Sequence, residues 1–256
     1  MASDPHTPAN LRRVAQRLLP LIDFTSLNDN DTGEVIERLC ARARTPAGNV
    51  AAVCIHSEHI PVAKRALASS GVPIATVTNF PAGAADVQAA ADETRAAVAL
   101  GADEVDVVFP YGALIAGDRA VGLDLVKAAK AACGRKVLLK VILETGQLKT
   151  PQLIRAASEI AIAGGADFIK TSTGKTQPGA SLEAAQIMLE AIAAARGQRR
   201  WVGFKASGGV RTVSEAQAYL ALADKILGEG HASAANFRIG ASALLDDVLV
   251  CLGLGT

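Results

Sequence analysis

Short apolar runs alternate with longer alanine-rich segments along the chain. The runs are rich in β-branched residues and are bounded by Gly, Pro, Asn or Asp, as is typical of strands buried in a parallel sheet. Between them, segments such as 86–101 and 181–197 have helical periodicity, and Gly101, Gly165 and Gly197 mark helix ends. The predicted strands lie in 18–27, 49–57, 74–80, 104–110, 136–146, 167–174, 202–209 and 236–242.

Eight strands with intervening helices predict an α/β fold, a closed (β/α)8 TIM barrel. An open doubly wound sheet fits the same pattern, but no GxGxxG or P-loop stands at a strand-to-helix turn, which disfavours the nucleotide-binding versions. Residues 7–19 predict an extra N-terminal helix. We find no linker or low-complexity segment, so a single domain over 1–256 is expected.

The composition limits which kinds of binding partner are expected. The net charge is only +1, so neither nucleic acid nor membrane is an expected partner, and an anionic substrate must be bound by local groups. The first twenty residues hold no sustained apolar run, which argues against a secretory signal peptide. The four cysteines, Cys40, Cys54, Cys133 and Cys251, lack metal-site spacing and are expected to be reduced thiols in the cytoplasm.

Polar residues end the predicted strands, where a barrel gathers its active site. Two of them, Lys170 and Lys205, lie on consecutive strands, and Lys140 is a third lysine inside an apolar run. Burial and a neighbouring cation both disfavour the ammonium form, so such a pair can supply the neutral amine that forms a Schiff base. The alternative is a structural network of ion pairs. The strand-end residues are Asp23, His56, Asn79, Asp106, Glu144, Lys170, Lys205 and Gly240.

Imine chemistry also needs proton transfer and substrate binding. Asp106 shares a strand face with Glu104 and can relay protons, or it can simply pair with a lysine. Glycine-rich turns at 208–211 and around Gly240, followed by Ser242, precede helices at the two strands where barrels often bind phosphate. Lys175 can add positive charge there.

The sequence resembles deoxyribose-phosphate aldolase over essentially its whole length, through the segments ADFIKTSTGK, VGFKASGGVRT, GADEVDVVFP, LLKVILETG, ATVTNFP and FRIGAS. The resemblance implies a class I aldolase of deoxyribonucleotide catabolism, which cleaves 2-deoxyribose 5-phosphate into acetaldehyde and glyceraldehyde 3-phosphate without a cofactor. It implies Lys170 as the imine lysine, Lys205 as the neighbour that depresses its pKa, and Asp106 as the proton relay. Asp23 is then expected near the substrate hydroxyls. The implied phosphate residues are Thr173, Lys175, Gly208, Gly209, Arg211, Gly240 and Ser242.

Some positions depart from the family pattern. Ala206 and Ser207 stand where some members have Pro-Ala, and Ala243 stands where a second serine often follows. The chain ends in LGLGT, without the terminal tyrosine of some members, so water or another group is expected to move the enamine proton. Another Schiff-base aldolase acting on a phosphorylated sugar, and a non-catalytic phosphosugar-binding barrel, remain alternatives. We expect a homodimer. We expect no metal site, because His56 and His59 lack a carboxylate partner at metal-ligand spacing.

Overall fold

Eight short parallel strands close into a barrel in the computed structural model, which describes residues 7–197 and 200–255. Each strand pairs with its neighbours in chain order, and β8 returns to pair with β1. The predicted closed (β/α)8 barrel is therefore confirmed, and the open sheet is excluded. The strands are β1 (Ile22–Thr25), β2 (Ala52–Ile55), β3 (Ile74–Thr78), β4 (Glu104–Val108), β5 (Leu138–Ile142), β6 (Phe168–Lys170), β7 (Gly203–Ser207) and β8 (Phe237–Ala241).

Helices surround the barrel and complete the alternation. They are α1 (Pro8–Leu18), α2 (Gly33–Arg42), α3 (Ile60–Ala66), α4 (Val87–Leu100), α5 (Tyr111–Ile115), α6 (Ala120–Cys133), α7 (Thr145–Leu148), α8 (Pro151–Gly164), α9 (Leu182–Gly197), α10 (Val213–Leu227) and α11 (Leu244–Leu252). Two 3₁₀ turns (Leu19–Leu21 and Ser57–His59) and a small hairpin pairing Arg44–Thr45 with Gly48–Asn49 were not predicted. No helix of the described segments combines the length and apolar character needed to cross a bilayer.

The extra N-terminal helix is confirmed as α1. The Thr7 hydroxyl accepts a hydrogen bond from the Asn10 backbone N–H, and Pro8 occupies the first turn, where its missing N–H costs nothing. Val14 and Leu18 are buried where α1 packs on α10 and α11. The helix leads through the first 3₁₀ turn into β1, so the predicted strand at 18–27 is shortened at both ends.

The barrel interior is divided between two kinds of side chain. An apolar group occupies the side nearest β1 to β3 and consists of Leu27, Ala52, Cys54, Ala75 and Val77, with Phe80 packed against it. Charged side chains from β1 and β4 to β8 fill the rest and are almost completely buried. Buried charges are costly unless they are paired, so this half of the interior indicates a functional site. We call these seven residues the charged cluster: Asp23, Glu104, Asp106, Lys140, Lys170, Lys205 and Arg238.

Candidate active site

The three predicted catalytic residues meet inside the barrel. Lys170 is the last residue of β6 and is the register partner of Lys205 on β7. Both side-chain amino groups donate to the same oxygen of Asp106: Lys170 Nζ lies 2.9 Å and Lys205 Nζ 2.8 Å from Asp106 Oδ2. Lys205 and Asp106 are fully buried, and Lys170 is 2% exposed. One carboxylate therefore holds two amines side by side, away from bulk water.

A second set of ion pairs continues from Asp106 across the barrel. Lys140 Nζ lies 2.7 Å from Asp106 Oδ1 and 2.6 Å from Glu104 Oε2. Arg238 bridges two carboxylates, with Nη1 2.6 Å from Asp23 Oδ1 and Nη2 2.8 Å from Glu104 Oε1. The other oxygen of Asp23 accepts from Lys205 at 2.5 Å. The seven side chains of this charged cluster thus form one connected network.

The pKa shifts distinguish the two lysines on β6 and β7. Burial lowers the pKa of Lys170, and repulsion from Lys205 adds to this effect, while Asp106 opposes it, leaving the pKa below its usual value. Burial also acts to lower the pKa of Lys205, but Asp106 and Asp23 outweigh it, so the net shift is upward. Lys170 is therefore the better nucleophile, because it loses its proton more easily.

The pKa shifts of other cluster residues indicate that these residues are charged. Burial would raise the pKa of Asp106, but the three lysines outweigh it and hold the pKa well below its usual value. The pKa of Asp23 is lowered in the same way, chiefly by Lys205 against the effect of burial. Burial opposes the charge of Lys140 and Arg238 too, yet nearby carboxylates raise both pKa values.

Asp23, like Lys170, Lys205 and Asp106, is not among the residues that line the open cleft at the carboxyl ends of the strands. It is fully buried on β1, and its two oxygens are engaged by Lys205 and Arg238. In this arrangement it holds Lys205 in place and stabilises the positive charge of Lys205. A direct contact between Asp23 and substrate hydroxyls stays a prediction.

An open cleft of about 470 Å³ lies at the carboxyl ends of the strands. All seven residues predicted to hold a phosphate line it, together with Ser207 and the β1 loop residues Ser26 and Asn28. Gly208 and Gly209 have φ angles of 91° and 98°, which side chains other than glycine rarely adopt, so the turn brings bare backbone to the cleft wall. The seven are Thr173, Lys175, Gly208, Gly209, Arg211, Gly240 and Ser242.

Some backbone N–H groups at the predicted phosphate-binding turn 208–211, and at the helix start that follows it, donate to the protein's own carboxylates. The N–H groups of Arg211 and Thr212 donate to Glu215 Oε2 at 2.7 and 3.1 Å, and Thr212 forms a capping box with Glu215. The Val213 N–H donates to Asp247 at 2.6 Å. The start of α10 is therefore satisfied internally, and Arg211 could reach an anion through its guanidinium rather than its backbone N–H.

Gly240 connects the cleft to the charged cluster. It lines the cleft on β8 and is the register partner of Asp23. A Cβ at Gly240 would lie 2.9 Å from both Lys205 Cε and Ser207 Oγ. The absent side chain therefore leaves the space that the Lys205 side chain occupies.

Glu144 organises the loop after β6, a role that the sequence did not indicate. It is fully buried, has a left-handed φ of 57°, and accepts from the Thr173 hydroxyl at 2.5 Å. The same hydroxyl accepts from the Lys175 backbone N–H at 3.0 Å. The Lys175 ammonium reaches across the cleft to 3.7 Å from Asp29 Oδ1. Glu144 thus positions Thr173 and Lys175 on one wall of the cleft.

Two other polar residues predicted at strand ends, Asn79 and His56, do not join the charged cluster. Asn79, also with a positive φ, bonds the backbone of Ala84 and Val108 and stabilises the loop after β3. His56 follows β2 and lies against the Phe80 ring, with centroids 6.1 Å apart. Cys54 packs in the apolar group, and its pKa is raised by burial, so it is a poor nucleophile. No disulfide joins the four cysteines.

Arg238 is the cluster residue that the sequence reasoning missed. It lies in FRIGAS, just before Gly240 and Ser242, the two residues of that segment that the sequence predicts at a phosphate site. An arginine inside an apolar strand is the same signal that singled out Lys140, so the residue could have been found. Its partners Asp23 and Glu104 lie 215 and 134 residues away in the sequence, and local pattern cannot predict such pairs.

Comparison with known proteins supports an aldolase. The family model for DeoC/LacD family aldolases matches residues 17–249. A solved structure from Coccidioides immitis, provisionally named a deoxyribose-phosphate aldolase, is 30% identical, with a TM-score of 0.77 over 91% of this chain and 85% of that one. A provisionally named counterpart from Toxoplasma gondii is 24% identical, with a TM-score of 0.86 over 96% and 98% of the two chains.

The deoxyribose phosphate aldolase of Aeropyrum pernix is 23% identical, with a TM-score of 0.71 over 96% of this chain and 92% of that one. At that identity, as for the T. gondii structure, the likeness is one of fold. The family match, by contrast, spans the barrel and includes every residue of the charged cluster. The chain belongs to the DeoC/LacD family of aldolases.

Proposed function

We propose that this aldolase cleaves 2-deoxyribose 5-phosphate reversibly into acetaldehyde and glyceraldehyde 3-phosphate through a Schiff base on Lys170. The observation that carries the proposal is a buried lysine, Lys170, that shares one carboxylate oxygen of Asp106 with a second lysine, Lys205. Burial and the neighbouring cation both act to lower the pKa of Lys170. A neutral amine held in this way can attack the aldehyde carbon of the open-chain sugar. The seven cleft residues named above support the second part of the proposal, that the cleft binds the phosphate group.

The imine then makes the cleavage possible. The neutral Lys170 amine adds to C1, water leaves, and the resulting protonated imine withdraws electrons from C2. A base takes the proton of the C3 hydroxyl, the C2–C3 bond breaks, and its electrons form the enamine. Glyceraldehyde 3-phosphate leaves, C2 gains a proton, and water hydrolyses the imine to acetaldehyde and free lysine.

Asp106 and Lys205 are suited to move these protons. Asp106 accepts from both Lys170 and Lys205, so a proton can pass between the two amines through one carboxylate or a water molecule beside it. Asp23 stabilises the charged form of Lys205 and so returns it to its starting state after each transfer.

The two halves of the mouth match the two ends of the substrate. The apolar group on the β1 to β3 side of the interior, formed by residues such as Leu27 and Val77, suits the methyl group of the two-carbon fragment. Lys175 and the glycine turns suit the phosphate at the other end. Binding both ends holds the bond to be broken close to the proton-transferring groups.

Product analysis tests the proposal. We expect purified protein to release acetaldehyde and glyceraldehyde 3-phosphate from 2-deoxyribose 5-phosphate at equal rates, as measured by coupled reduction of each aldehyde. Cleavage of a phosphorylated keto-sugar instead would establish a different aldolase substrate. Saturable binding of the sugar phosphate without cleavage would favour the non-catalytic phosphosugar-binding barrel.

A further inference from the structure

The charged cluster holds unequal numbers of positive and negative groups. Four cations face three carboxylates, and the ion pairs between them join all seven into one network inside the barrel. If every group were ionised, the cluster would carry one unmatched positive charge. Water is largely excluded, so a neutral amine relieves this excess more easily than a distant counterion does.

Geometry indicates which cation loses its proton. Arg238 and Lys205 each contact two carboxylates, and Lys140 contacts two within 2.7 Å and lies 3.7 Å from a third. Among the described residues, Asp106 is the only carboxylate in ion-pair contact with Lys170, and the oxygen it offers is shared with Lys205. The cation with the fewest partners is therefore the one from which the excess proton is lost. The direction of the pKa shifts agrees with this order.

We infer that Arg238 and Glu104, a buried pair joined to Lys170 only through other cluster residues, set the charge balance that keeps Lys170 a neutral amine. They act as positioning residues for the proposed Schiff-base reaction, and the inference rests on that function. Arg238 adds one positive charge and Glu104 one negative charge, and their ion-pair partners among the described residues are Asp23, Lys140 and each other rather than Lys170. Changing either one alters the excess charge without removing a direct ion-pair partner of Lys170.

Other charged and titratable groups around Lys170 complete the electrostatic setting. The Cys54 thiol on β2 is another titratable group close to Lys170, and burial raises its pKa, so it adds no charge to the network. Glu144 follows β5 and lies outside the network, because its carboxylate binds the Thr173 hydroxyl and N–H. The titratable and charged groups buried with Lys170 in the barrel interior are Asp23 on β1, Cys54 on β2, Glu104 and Asp106 on β4, Lys140 on β5, Lys205 on β7 and Arg238 on β8.

The sign of the charge change gives the test. In Arg238→Met the excess disappears, so Lys170 keeps its proton more strongly and the acidic limb of kcat/KM against pH moves to higher pH, by about one unit. In Glu104→Gln, which keeps the shape of the side chain, the excess doubles and the limb moves to lower pH. The double variant restores the original excess and should return the limb toward its wild-type position. Arg238→Lys keeps the charge and should leave the limb in place.

A second readout does not depend on the aldolase reaction. The rate of reductive methylation of Lys170 by formaldehyde and cyanoborohydride, followed by peptide mass spectrometry over a range of pH, reports its free amine directly. Opposite shifts in the two single variants, with recovery in the double variant, would support the inference. Shifts of the same sign, or none, in variants whose circular dichroism matches the wild type would overturn it.

The experiments distinguish a variant that fails to fold from a failure of the inference, and both from a failure of the proposed function. If Arg238→Met does not fold, the isosteric Glu104→Gln still gives a signed result, and an unchanged or upward shift of its limb would overturn the inference. A wild-type protein that cleaves no sugar phosphate would contradict the proposed function. The methylation profiles would then still decide whether the pair controls Lys170.

Discussion

Lys170 and Lys205 are register partners on neighbouring strands and donate to the same carboxylate oxygen, yet their pKa values shift in opposite directions. The difference comes from Asp23, which contacts Lys205 and does not contact Lys170. The contacts thereby favour the charged form of Lys205 and the neutral form of Lys170, which is the division of roles that the proposed reaction needs. The predictions below test this division and the cleft beside it.

Lys170→Ala should lower kcat for aldol cleavage by about three orders of magnitude or more, because the imine cannot form. Steady-state assay of aldehyde release measures the loss, and circular dichroism checks that the barrel is intact. Lys127→Ala, at an exposed position on α6, is the matched control and should retain full activity. Retention of substantial turnover in a folded Lys170→Ala protein would mean that another amine forms the imine.

Lys205→Leu should move the acidic limb of kcat/KM to higher pH, by about one unit. Removing a neighbouring cation stabilises the ammonium form of Lys170, so its pKa rises and a higher pH is needed to free the amine. Lys205→Arg keeps the charge and serves as the control. An unmoved limb in the leucine variant would rule out electrostatic depression by Lys205.

Ser242→Glu should impair cleavage of 2-deoxyribose 5-phosphate and have little effect on 2-deoxyribose. The added carboxylate would repel the phosphate dianion at the cleft wall, where Ser242 lies. Part of the loss should appear in kcat, because phosphate binding also positions the reacting carbon. Ser242→Gln, with similar volume and no charge, is the control, and equal losses for both sugars would contradict the phosphate assignment.

Gly240→Ala should reduce activity more than stability, since the added methyl group would displace the Lys205 side chain. Gly112→Ala is the control, because a Cβ there meets no atom within 4 Å and Gly112 has no positive φ. Paired measurements of kcat/KM and of urea unfolding separate the two effects. Full activity in Gly240→Ala would show that Lys205 tolerates displacement.

Thr173→Val should destabilise the protein by about 1–3 kcal/mol, because the buried Glu144 carboxylate would lose its hydroxyl donor. Thr173→Ser retains the hydroxyl and should cost less. The urea midpoint, compared at constant m value, measures both. A valine variant as stable as wild type would show that the Glu144 contact does not stabilise this loop.

Sequence patterns predicted the barrel because its strands are buried on both faces, which gives continuous apolar runs. They also singled out Lys170, Lys205 and Asp106 as candidate site residues, because charged residues inside such runs are conspicuous, and the structure brings the three together. The observed strands are shorter than the runs, since residues such as 18–21 continue into helical turns. The left-handed backbone at Glu144, and the use of the Arg211 N–H by Glu215, depend on tertiary contacts that no local pattern reports.

The identity of the imine lysine is the central claim, and reductive trapping tests it most directly. Protein incubated with acetaldehyde and sodium borohydride should lose activity irreversibly and gain one ethyl group on the peptide that contains Lys170. Lys205 and Lys140 should remain unmodified in the same digest, because both are held as cations. Ethylation of Lys205 or Lys140 instead of Lys170 would contradict the account.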